Sequence, residues 1–157
     1  MTKDVILSIS GLHLENLNGS QADEPIEVIT PANYFFRNGK HFILYDEVME
    51  GMSGVTKNKI KISGSNLLEI KKNGITSAHM IFEKDKKNLT YYDTPFGQLL
   101  LGVDTTYMSV EETETDIDIR VEYGLDVNHE PLADCKIRMN IKAKEAGTFT
   151  MRENMKF

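Results

Sequence analysis

Asp116-Ile117-Asp118-Ile119-Arg120-Val121-Glu122-Tyr123-Gly124-Leu125 sets an apolar side chain at every second position from Ile117 to Leu125. A period of two turns all five apolar groups to one side of a strand and leaves Asp116, Asp118, Arg120 and Glu122 on the other. The segment Cys135, Ile137, Met139, Ile141, Ala143 repeats the pattern, interleaved with Lys136, Arg138, Asn140, Lys142 and Lys144. Val5, Leu7, Ile9 and Ile60, Ile62 repeat it more briefly. No stretch carries the apolar period of a long amphipathic helix.

Turn signals separate these runs. Asn38-Gly39 and Asn73-Gly74 suit two-residue hairpins, since both residue types tolerate positive φ. Gly64-Ser65-Asn66, Asp85 to Asn88 and Asn128 to Pro131 suit longer turns. The chain then reads as about ten strands, near 4–14, 26–37, 40–48, 55–63, 67–72, 75–83, 89–94, 98–110, 115–126 and 132–144. Residues 15–25 and 49–54 read as longer loops. Consecutive hairpins favour an all-β fold: one closed antiparallel up-and-down barrel of about eight to ten strands, because closure removes exposed edges. A sandwich is the second choice. The expected division is a barrel over residues 1–144 and a C-terminal tail over 145–157.

Charge suggests a register for one hairpin. Setting Glu122 opposite Arg138 brings Asp118 to Lys142 and Asp116 to Lys144, each pair worth ~0.2–1 kcal/mol. A shift by two residues places Arg120 opposite Arg138. The basic stripe of the last strand then serves as a partner for the acidic strand rather than as a phosphate track.

The same reasoning locates candidate binding residues. A two-residue loop at Asn73-Gly74 pairs Leu68 with His79 and turns Leu68, Ile70, Ser77, His79 and Ile81 inward. A four-residue loop at 85–88 then sets Ile81 opposite Tyr92 and His79 opposite Thr94, giving an inward cluster of His79, Tyr92 and Thr94. The Asn38-Gly39 hairpin pairs Phe36 with His41 and Tyr34 with Ile43, and groups Tyr34, His41 and Tyr45 on one face. Whether that face or the one bearing Phe35, Phe42 and Leu44 is the inner one stays open. A lumen with tyrosines and histidines among apolar groups suits a small, partly apolar ligand; the same residues also suit a filled core. These registers leave Met80, Phe82 and Tyr91 outside, an apolar strip that the tail residues Phe149, Met151, Met155 and Phe157 or a second subunit would cover.

Composition excludes several classes. At 157 residues with 40% hydrophobic and 27% charged residues, the chain reads as one soluble domain. A net charge of −6 argues against a nucleic-acid partner. No run approaches the ~20 apolar residues of a membrane span, and Val5-Ile6-Leu7 is too short for a signal peptide. Cys135, the one cysteine, forbids an internal disulfide and fits a reducing cytoplasm. His13, His41, His79 and His129 lack metal-ligand spacing, so no metal or cofactor is expected. Glu111 to Asp118 form an acidic run that matches no calcium loop. No catalytic residues are assigned; His79 as a general base beside Tyr92 is the weakest of the functional readings.

The segments Tyr91-Tyr92-Asp93-Thr94-Pro95-Phe96-Gly97, Val5-Ile6-Leu7-Ser8-Ile9-Ser10-Gly11, Tyr34-Phe35-Phe36-Arg37-Asn38-Gly39-Lys40 and Met80-Ile81-Phe82-Glu83 stand in an order that resembles the YwiB-like family of Gram-positive bacteria. The similarity runs from about residue 4 to 143, and the tail lies beyond it. The resemblance implies a lipocalin-like (calycin) barrel. It carries over no activity and no catalytic residues. By analogy with that fold, the expected function is binding of a small ligand in the barrel. The alternative is an interaction or structural module that forms a homodimer through the apolar strip.

Overall fold

Each alternating run forms a strand. The computed structural model describes residues 3–11, 27–48, 51 and 53–144. Its strands are β1 (Lys3–Ser10), β2 (Glu27–Arg37), β3 (Lys40–Glu47), β4 (Thr56–Ser63), β5 (Leu67–Asn73), β6 (Ala78–Glu83), β7 (Lys86–Thr94), β8 (Gly97–Glu112), β9 (Asp116–Val127) and β10 (Glu130–Ala143). All pairings are antiparallel between sequence neighbours, and β1 pairs β10, so the ten-stranded sheet curls round in chain order. Between β6 and β7 closure is incomplete. There the described residues hold one bridge, Ser77 with Asp93, whose amides donate to each other's carbonyls at 3.0 and 2.8 Å. The fold is thus an up-and-down barrel, nearly closed. The expected extension of the first strand over 12–14, the loop 15–25, His13 and the tail 145–157 lie outside the described residues.

The inner layer is the set the alternation selects. Val5, Leu7, Ile117, Ile119, Val121, Met139 and Ile141 are fully buried, as are Ile43, Ile60, Ile62, Leu68, Ile70, Met80 and Phe82 from the opposite wall. Phe82 and Tyr123 meet edge to face across the interior, ring centroids 5.0 Å apart. Side chains with no accessible surface border no void that would admit a water, so among the described residues these pack the middle of the barrel. Each such apolar side chain contributes roughly 1.5–3 kcal/mol on burial.

Two registers differ from the sequence expectation. At Asn73-Gly74 the chain does not make a two-residue hairpin. Lys72 pairs with Ala78, Lys71 with His79 and Leu68 with Phe82. Residues 74–77 form a loop instead, because Gly74 crosses the β4 backbone: a Cβ there would lie 2.4 Å from the Val55 carbonyl oxygen. The loop carries Ser77 to its bridge with Asp93. Consequently Ala78, Met80 and Phe82 point inward, while His79 and Ile81 point outward. The expected turn at 85–88 is also shorter, with Asp85 at φ 64 and β7 beginning at Lys86. The pairing it implied, Ile81 with Tyr92 and His79 with Thr94, does not form: among the described residues the backbone pairing here is the Ser77–Asp93 bridge.

The second departure is β9–β10. Arg138 faces Arg120, and Glu122 faces Lys136. Asn128 and His129 both have positive φ, 51 and 71, the condition for a tight type I′ turn. That turn, with a bulge between Pro131 and Ala133, sets the pairing. Closing the ladder early outweighs exposed charge pairs worth ~0.2–1 kcal/mol each. Asp118 and Glu27 stand with Arg138 and Lys142 around a 260 Å³ surface depression.

Candidate functional site

β2 changes partners along its length. Residues 27–34 pair with β1, and residues 33–37 pair with β3. Beyond Asn33 and Leu44 the two strands diverge, β2 staying with β1 and β3 with β4. Pro31 lies in the stretch that β3 leaves uncovered. A proline has no N–H to donate, so within sheets it belongs where a ladder is interrupted.

The divergence opens a cleft of about 680 Å³ in the barrel wall, within the size range of small-molecule sites. Pro31, Ala32 and Asn33 form one side; Leu44, Tyr45 and Asp46 form the other. Ala32, Tyr45 and Asn58 face inward on their strands and are buried, so the cleft reaches through to the inner layer. Behind it, the buried Lys72 donates from Nζ to Glu47 Oε1 and to Asn58 Oδ1, both at 3.0 Å. Lys57, Lys59, Lys71 and Lys144 stand around the opening with Asp4.

A second polar group lies inside the barrel at the Asn38-Gly39 turn. The Tyr34 hydroxyl and His41 Nδ1 share a 2.8 Å hydrogen bond, and His41 Nε2 is 3.7 Å from Glu112 Oε2. With the imidazole proton on Nε2, facing the carboxylate, the tyrosine is the donor. Glu112 reaches this point because β8 carries a bulge between Thr105 and Tyr107. Upstream, Leu101, Val103 and Thr105 face inward; downstream, the inward set is Met108, Val110 and Glu112. A tyrosine–histidine–carboxylate chain can relay a proton, but Tyr34 has no accessible surface, so no substrate reaches its oxygen. Its demonstrable role is to satisfy a buried histidine.

The candidate residues therefore separate. Tyr34 and His41 meet as the Asn38-Gly39 hairpin implies, and they lie on the inner face; Phe35 and Phe42 stack on the outer one, centroids 4.7 Å apart. Tyr45, on the same inner face, lines the cleft. Tyr92 is buried. Thr94 Oγ1 donates to Gly97 O at 2.7 Å and accepts from Phe96 N–H at 3.1 Å, closing the β7–β8 turn. His79 is on the outer surface, its Nε2 3.0 Å from Glu69 Oε1, away from Tyr92 and Thr94. The inward His79–Tyr92–Thr94 cluster does not form, and the general-base idea that depended on it falls. Met80 and Phe82 are core rather than surface, while Tyr91 is exposed.

Sequence reasoning missed Lys59, Lys71 and Lys72. One signal was present: Pro31 inside a strand flanked by two others argues against pairing on both sides. Among the described residues no three His, Cys, Asp or Glu side chains converge as a metal site, and no helix is long and apolar enough to cross a membrane. Burial pushes the Cys135 thiol above its ordinary range, which disfavours the nucleophilic thiolate.

The comparisons with known proteins agree with this architecture. The crystal structure of the ywiB protein from Bacillus subtilis superposes with a TM-score of 0.73 at 17% identity, covering 92% of this chain and 94% of that one. At that identity the match speaks to the fold. No curated protein matches. A family model described as a domain of unknown function, DUF1934, matches residues 12–139. The chain belongs to that family.

Proposed function

We propose that this barrel is a small-molecule-binding protein whose ligand sits in the cleft between β2 and β3 rather than in the middle of the lumen. The observation that carries the reading is the 680 Å³ opening through the wall, which ends on Tyr45 and Asn58. Pro31, Ala32, Leu44 and Tyr45 offer apolar contact, while asparagines, lysines and aspartates make most of the lining polar, which suits a ligand with a polar or charged part. The packed core supports the shift from lumen to wall, since Ile60, Ile70 and Ile119 leave no space beside them. The unpaired Cys135 supports a reducing, cytoplasmic setting.

The test is native mass spectrometry of protein purified from its own host, alongside Leu44→Trp. Leu44 points into the cleft from its outer side, so the larger ring fills the opening without entering the core. The expected result is a small-molecule adduct on the wild type that the variant loses while keeping its β-sheet circular dichroism. Equal retention by the variant, or no adduct on the wild type, contradicts the reading.

One surface feature favours a second reading, docking or homodimerisation. Leu89, Tyr91 and Phe96 along β7 and its turn are 58%, 59% and 88% exposed. Sedimentation at micromolar concentration separates the two: a strict monomer removes the dimer.

A further inference from the structure

The lysines around the cleft call for more than an apolar ligand. Lys59 and Lys71 are direct cross-strand partners on the outer face, and like charges in that position destabilise a sheet. Lys57 and Lys144 line the same opening. The rim carboxylates are Asp4 and Asp46, and Asp46 is already 3.7 Å from Lys57 Nζ. Lys59 lies 5.3 Å from the Phe42 ring centroid, a weak cation–π contact. Among the described residues no carboxylate comes within ion-pair distance of Lys59 or Lys71. One row across the wall thus concentrates positive charge on a chain whose net charge is −6.

We propose that the cleft takes a small phosphorylated molecule, its phosphate held between Lys59 and Lys71 and its remaining, less polar part directed toward Tyr45 and Ala32. This rests on the cleft being the binding site. A dianion between two facing ammonium groups turns their mutual repulsion into two charge-assisted contacts. Asn33 and Asn73, which also line the opening, add amide donors. A long polyanion fits less well: the site is one confined opening with Asp4 and Asp46 on its rim, and the whole chain repels it.

The experiment compares wild type, the double variant Lys59→Gln/Lys71→Gln, and Lys84→Gln as a distant control. Lys84 is exposed at the β6–β7 turn. Thermal unfolding is followed as inorganic phosphate is added at constant ionic strength, and a short single-stranded RNA is titrated separately. The proposal expects phosphate to raise the wild-type and Lys84→Gln midpoints alike. The double variant should start at a higher midpoint without phosphate, its repulsion relieved, and bind phosphate at least about tenfold more weakly. It is overturned if phosphate stabilises the double variant as it does the wild type, if phosphate leaves the wild type unchanged, or if RNA binds more tightly than phosphate through the same lysines. The cleft reading fails separately, through an adduct that Leu44→Trp retains.

Discussion

Glu112 faces His41 because one extra residue in β8 reverses the phase of everything after it. Nothing in the alternation of Leu99, Leu101 and Val103 announces that reversal, since a bulge answers to its partner strand. That Tyr34 and His41 share a face, by contrast, was legible from Asn38-Gly39, whose type I′ geometry depends on residues 38 and 39 themselves; that the face is the inner one was not. The bond between Tyr34 and His41 has a measurable consequence. Tyr34→Phe removes one partner of the buried imidazole and should cost about 1–3 kcal/mol, read as a lower urea midpoint at unchanged slope. An unchanged midpoint would show that His41 does not depend on that hydroxyl. A second consequence concerns Tyr123. Burial raises its phenol well above the ordinary value, with neighbouring Cys135 adding to the effect. The unfolded chain then loses that proton first, near pH 10. The folded state's advantage is complete below that pH and is lost as pH climbs toward the folded-state value. The stability gap between wild type and Tyr123→Phe should therefore hold steady from about pH 7 to 9 and narrow above about pH 10. A gap that stays constant above pH 10 would contradict this.

At the scale of elements, the strands were readable and two of their registers were not. Ile117 to Leu125 and Cys135 to Ala143 lie on the faces their spacing implies, because apolar burial decides them strand by strand. Pairing is different, for it depends on what the loops do. Gly74 looked like a hairpin glycine and is instead a close-approach glycine, spending residues 74–77 to reach β7. His79 consequently moved from lumen to surface. In β9–β10, side-chain charge pointed to one register and the Asn128-His129 turn chose another. That choice is testable: Arg120→Glu replaces a like-charge pair with Arg138 by an opposite one and should stabilise the fold by ~0.2–1 kcal/mol. In the charge-matched register residue 120 would face Asn140, and the substitution would gain little. A neutral or lower denaturation midpoint at low salt would count against the assigned pairing.

For the molecule as a whole, local period and turn spacing led directly to an up-and-down barrel. Hairpin after hairpin leaves few other ways to bury one face of each strand. The cleft was not legible, because it arises where β2 exchanges one neighbour for another, a relation among β1, β2 and β3 that no single stretch records. The same exchange gives the barrel an opening in its wall while its centre stays packed. The most direct measurement is a backbone-amide chemical-shift map of the protein carrying its host-derived small molecules against the same protein stripped and refolded. The account predicts changes confined to residues 32–33, 44–46 and 57–59 with Lys71 and Asn73. Shifts centred instead on Ile60, Ile70, Met80 and Ile119 would put the ligand in the lumen and contradict it.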